Sequence, residues 1–159
     1  MITKGIIAFS LTVAASALLA APPQTPTAST TSQGVYTTAQ AALGHTLYNA
    51  KCSSCHLADL TGKDQNPPLV GKDFTSEWTG EPLGGLFDKI ENTMPADNPG
   101  TLSRDQTAEL LAFILSSNKF PAGKTALPTD AQALKQIRIT APPPAPAPNQ
   151  APPQTSPQN

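Results

Sequence analysis

The sequence predicts a small all-α domain with disordered, proline-rich extensions at both ends. Three observations carry that prediction. Every aromatic residue except Phe9 lies between Tyr36 and Phe120, and aromatic side chains dominate core burial. Within that stretch the apolar residues recur three and four positions apart, the helical period, and nowhere alternate as a strand would. The flanks hold three prolines at 22–26 and eight in the last nineteen residues, a composition that cannot bury enough surface to offset chain ordering. The core is therefore roughly residues 35–121 of a 159-residue chain, which excludes a large multidomain enzyme. A core that small usually needs a disulfide, metal or cofactor as a staple.

The elements follow in chain order. Lys4 precedes an uncharged run, Gly5 to Ala21, rich in Ile, Leu, Val and Ala and ending in small residues. Residues 1–21 read as a secretory signal peptide, with an exit at Ala15-Ser16-Ala17 or just after it. The competing reading is a retained anchor, for which the run is at the low edge of bilayer-spanning length. Either way the remainder is exported. Residues 22–34, rich in Pro, Thr, Ser, Gln and Gly, read as a flexible linker. A first helix is expected over 38–50, capped by Thr37 with Gln40 three residues on, with Leu43 and Leu47, and Gly44 and Tyr48, each at i,i+4. The stretch 57–81 carries Gly62, Pro67, Pro68, Gly71 and Gly80 and reads as a loop. A second helix is expected over 82–92, with Pro82 in its first turn and Leu83, Leu86, Phe87 and Ile90 on one face. Gly84 and Gly85 each cost that helix about 1 kcal/mol, which suggests that something flat approaches its backbone; the alternative is a merely tolerated pair. A third helix is expected over 104–117, opened by a Ser103–Gln106 capping box and presenting Leu110, Phe113 and Ile114 inward.

Beyond the core, residues 122–140 read as a C-terminal strap. Thr129-Asp130-Ala131-Gln132 can cap a short helix, and a spacer has no need of Leu127, Leu134, Ile137 and Ile139. The alternative is a linker that orders only against a partner. Residues 141–159 read as a solvated, disordered Pro-rich tail. Charge is nearly balanced overall, ten basic against eleven acidic residues, so a nucleic-acid partner is not expected. Locally it is not balanced. Residues 35–121 hold six basic and ten acidic groups, net −4, and the segment after 121 holds three and one, net +2.

The chemistry sits at Cys52-Ser53-Ser54-Cys55-His56, which contains the only two cysteines of the chain. C-x-x-C-H is the attachment pattern of a c-type haem. Two thiols one turn apart reach the two vinyl groups on one edge of the porphyrin, and the adjacent His56 then presents its imidazole to the iron. A zinc site would need four ligands, and a thioredoxin-like dithiol would sit in a βαβ pattern that is absent here. Met94, in the loop Thr93-Met94-Pro95, is the sole thioether after Met1, and so the candidate sixth ligand; a methionine that merely fills core is the alternative. His45 reads as a solvated helix-face residue.

These residues resemble a class I, mono-haem cytochrome c. Gly44 and Tyr48 resemble the N-terminal helix pair that crosses the last helix, with Leu110 and Phe113 as their partners. Asn66-Pro67-Pro68-Leu69-Val70-Gly71 resembles the family's proline loop. The resemblance implies that the Pro68 carbonyl accepts from His56 Nδ1–H, that Leu69 packs on the ring, and that Trp78 donates to a haem propionate or else serves as a core aromatic. It implies a small cytochrome c fold around one covalent haem c with its iron, and single-electron transfer rather than catalysis, because a six-coordinate iron has no open position. The competing class is a five-coordinate sensor or catalytic haem. The sequence from Leu86-Phe87 through Met94 to Phe120-Pro121 resembles cytochromes that accompany periplasmic quinoprotein dehydrogenases. That implies a periplasmic location, such a dehydrogenase as electron donor, and an oxidase or another cytochrome as acceptor in a respiratory chain. Membrane contact is expected only if the N-terminal segment is retained.

Overall fold

The computed structural model describes residues 29–142 and 144. The expected signal segment, the first part of the expected linker and almost all of the proline-rich tail lie outside the described residues. Six α-helices are present among the described residues: α1 Thr38–Lys51, α2 Ser53–His56, α3 Gly71–Trp78, α4 Leu83–Thr93, α5 Arg104–Ser117 and α6 Ala131–Lys135. The capping logic holds where the sequence is explicit. Thr37 Oγ1 accepts from Gln40 N–H at 3.2 Å, and the Ser103–Gln106 box closes in both directions at 3.2 and 3.1 Å.

The frame is the crossing of α1 and α5, and it is unusually close. A Cβ at Gly44 would overlap the Glu109 carbonyl and lie 3.0 Å from Phe113 Cβ. That approach buries Ala41, Gly44 and Tyr48 on α1 and sets the Tyr48 ring against Phe113 on α5, centroids 5.2 Å apart. It also turns Leu43 outward, to 58% exposure. Of the expected Leu43–Leu47 stripe only Leu47 packs on the core; the small residue decides which face can come closest.

Four further expectations change. The stretch 57–81 is not all loop, because its last third is α3, whose Phe74 is buried. Residues 29–34 are not free linker. Ser29–Thr30 forms β1, paired in parallel with β2 at Ile137–Arg138, and the following 3₁₀ turn, Thr31–Gln33, carries a fully buried Thr31. Thr31 Oγ1 accepts from Thr140 N–H at 3.0 Å, so backbone pairing and one hydroxyl order a segment that lacks large apolar residues. Gly84 is explained by α6 rather than by a flat group: a Cβ there would meet Lys135 Cγ at 3.2 Å and Lys135 N at 3.4 Å, whereas at Gly85 it would meet only Trp78 Cζ3, at 3.9 Å. Finally, α6 is capped by Asp130, whose carboxylate accepts from Ala133 N–H at 2.8 Å. Thr129 instead offers its carbonyl to the Arg104 guanidinium at 2.8 and 2.7 Å.

Residues 122–140 run over the domain and bury Leu127, Leu134, Ile137 and Ile139. Backbone bonds fix them: Ile139 N–H to Glu81 O at 2.9 Å and Gly80 N–H to Ile139 O at 2.8 Å. The segment's cations form no ion pair with the core among the described residues; Arg138 donates to the Gly80 carbonyl at 3.0 Å. Apolar burial and backbone pairing, rather than charge complementarity, hold this segment.

Candidate haem site

The attachment motif grows out of the end of α1. Cys52 closes that helix with its N–H on Tyr48 O at 2.8 Å, and the single turn of α2 follows, tied by His56 N–H to Cys52 O at 2.9 Å. That turn leaves Cys52 half-buried and Cys55 exposed, with His56 buried. As a free thiol, Cys52 is pushed up to about 11 by burial. The chain then reverses through Leu57 and Leu60, both at φ 62, a left-handed conformation that costs non-glycine residues energy and recurs at functional sites. The Leu57 carbonyl is held by Tyr48 Oη–H at 2.6 Å. Burial, with Cys52 and Asp59 nearby, pushes the Tyr48 hydroxyl pKa upward, keeping it a donor.

The reversal brings the loop Lys63–Gly71 back beneath His56. His56 Nδ1 lies 2.9 Å from the carbonyl of Pro67, not of Pro68 as the family pattern implied. The carbonyl that reaches the ring is the first of the two prolines; Pro68 lines the cavity beside it. A carbonyl can only accept, so Nδ1 carries the hydrogen and Nε2 keeps its lone pair.

His56, Cys52 and Cys55 line a cavity of about 210 Å³. The lining draws on every long helix and on the loop: Tyr48, Phe74, Trp78, Leu86, Ile90, Leu110 and Ile114, with Leu69 and Met94. Met94 ends α4, its N–H on Ile90 O at 3.1 Å, and is half-buried against the core. The charged residues that reach this cavity, Lys51, Glu77, Lys89 and Asp97, are exposed, so charge belongs to the rim and the interior is apolar. Leu69 and Trp78 are both half-buried there. His45 lies outside this cavity, exposed and stacked on Phe113 with centroids 4.7 Å apart. Sequence reasoning missed Phe74; the Phe74–Trp78 spacing of four was the available signal.

These residues fit a covalent haem. A flat macrocycle needs an apolar slot, two thiols at one edge, and a nitrogen lone pair held by a fixed tautomer; Cys52, Cys55 and His56 supply the last two. Among the described residues no three of His, Cys, Asp and Glu cluster to hold a bare ion, whereas a porphyrin brings four of the ligands itself.

Residues 39–114 match the family described as cytochrome c oxidase, cbb3-type, subunit III. No curated protein matches the chain. Among solved structures, the chain is similar to the sulfane dehydrogenase SoxCD from Paracoccus pantotrophus, at 28% identity, covering 56% of this chain and 45% of that one, with a TM-score of 0.41. The chain thus spans less than half the length of that relative.

Proposed function

We propose that this chain, which belongs to the class I c-type cytochromes and carries one covalent haem c, transfers single electrons, and that His56 and Met94 would hold the haem iron. When bound, the haem supplies a one-electron couple that cycles between ferric and ferrous. The rest is the work of the chain. Cys52 and Cys55 hold the group by one edge. His56 offers Nε2 from a ring fixed through Nδ1, and the carbonyl acceptor raises its basicity. Met94 offers a thioether, which favours the ferrous form and raises the potential. Phe74, Leu86, Ile90 and Leu110 exclude water, and the exposed Cys55 marks the edge at which a partner can approach.

The observation that carries this reading is that His56 and Met94 line one apolar cavity and that the hydrogen bond to Pro67 leaves Nε2 as the ring's free electron pair. The donor we propose is a periplasmic dehydrogenase, of the quinoprotein kind that the sequence resembles, and the acceptor is an oxidase or another cytochrome; the chain works as a carrier and not as a catalyst. Export follows from the N-terminal segment. The test is the optical spectrum of the purified ferric protein. A weak long-wavelength band from sulfur ligation, lost in Met94→Ala, is the expected result. A high-spin ferric spectrum in the unmodified protein would mean a five-coordinate iron and overturn the assignment.

A further inference from the structure

We propose that Asn118, at the end of α5, is the positioning residue for the hydrogen bond on the iron ligand; this rests on the reading of His56 as that ligand. Asn118 is buried, at 5% exposure. Its side-chain N–H groups donate to Leu69 O at 2.8 Å and to Ile114 O at 2.9 Å, and its Oδ1 accepts from Gly71 N–H at 3.1 Å. The orientation of the amide is fixed by these partners, since turning it over would set two donors against Gly71 N–H and an acceptor against two carbonyls. No other side-chain type offers two donors and an acceptor in so short a span, apart from a longer glutamine.

The bonds matter because of where they land. The loop is pinned on its near side by Leu69 N–H to Leu60 O at 2.8 Å. Asn118 supplies both of the side-chain hydrogen bonds that tie it to α5. Between Leu69 and the Pro67 carbonyl that holds His56 lies only Pro68. The Pro68 ring locks φ there, and Pro67, as the residue before a proline, is itself restricted. A shift of Leu69 is therefore passed to the Pro67 carbonyl instead of being absorbed. Asn118 thus acts on His56 through a stiff link of one residue, Pro68, and the strength of the Nδ1–H bond sets how basic the iron ligand is.

The experiment uses the reduced holoprotein, whose low-spin ferrous iron is diamagnetic, and follows the His56 ring by nuclear magnetic resonance alongside the midpoint potential. Asn118→Leu and Asn118→Ser should raise the exchange rate of His56 Nδ1–H about fivefold or more, the factor for losing one ordinary hydrogen bond. The potential should move upward as the ligand becomes less basic. Ser103→Ala is the control, since it removes the cap at the other end of α5 without touching the loop. It should lower thermal stability and leave both signals unchanged. Should the leucine variant not accumulate as holoprotein, the serine variant decides alone. Asn118 variants that lose stability but keep the Nδ1–H exchange and the potential of the unmodified protein would overturn the proposal. If His56 in the unmodified protein lacks the ring-current shifts of an axial ligand, the ligation reading fails instead, and the two failures are told apart.

Discussion

Replacing Gly44 by alanine tests the frame of the domain directly. The added Cβ would overlap the Glu109 carbonyl and approach Phe113 Cβ to 3.0 Å. The obstacle is helix backbone, which has no rotamer to swing aside, so α1 and α5 must part. A gap of about 0.5–1 Å already forfeits a quarter to a half of each contact's attraction, here for Tyr48 against Phe113 at the crossing. Overpacking of this kind costs about 1–3 kcal/mol, and a backbone obstacle argues for the upper end. Alanine returns about 1 kcal/mol through helix propensity. The net is a loss of about 2 kcal/mol, or roughly 8–16 °C in Tm for a domain of this size. Gly85→Ala supplies the contrast within the same protein, because a Cβ there meets only Trp78 Cζ3 at 3.9 Å. It keeps the propensity gain, and its Tm should rise. Thermal unfolding of both holoproteins, followed by far-ultraviolet circular dichroism, checks the pair. A Gly44→Ala protein as stable as the parent would refute the close crossing.

Three further outcomes are expected. Cys52→Ser and Cys55→Ser should each leave one thioether, and the double change should abolish stable holoprotein, as read by haem staining after denaturing electrophoresis. The cavity rim carries two cations, Lys51 and Lys89, and two anions, Glu77 and Asp97, so an anionic and a cationic small-molecule oxidant should react at rates within about tenfold of each other at low salt, where a rim of one sign would separate them by up to about a thousandfold. Trypsin should spare Lys135 and Arg138, whose backbone is held by α6 and β2, while cutting the exposed Lys124; immediate cleavage at all three, with no loss of thermal stability, would show that residues 122–140 do not hold the domain.

Much of this was legible because it is local. The boundaries of α5 are visible in the sequence since both ends of its capping box, Ser103 and Gln106, lie within one turn. The attachment motif is five consecutive residues. What escaped is what depends on distant partners. Helix α3 has no side-chain cap and only Phe74 and Trp78 to mark a face, with Lys72, Asp73 and Glu77 among them. Its apolar side is visible only once the cavity it lines is known. The choice between Pro67 and Pro68 turns on the path of the chain through Leu57 and Leu60, whose left-handed φ no leucine advertises. Asn118 reads in sequence as an ordinary helix end, and its loop partners are 47 and 49 residues away.

The linker shows the same limit from the other side. Composition correctly says that Ser29–Gly34 has nothing large to bury, and it would be free if burial were the sole source of order. Its order comes from β2, which is placed by Leu134, Ile137 and Ile139, more than 100 residues further along. Each of those aliphatic side chains contributes about 1.5–3 kcal/mol on burial, enough to order the strap, and the strap then offers β1 a ready edge and Thr31 a partner in Thr140. The small core therefore does not depend on the haem alone as its staple. A second layer, built from both ends of the described chain, closes over Gly80–Pro82 at the start of α4. That is the helix whose far end carries Met94, so the predicted strap, together with the end of the segment that read as a linker, braces the element that presents the proposed sixth ligand.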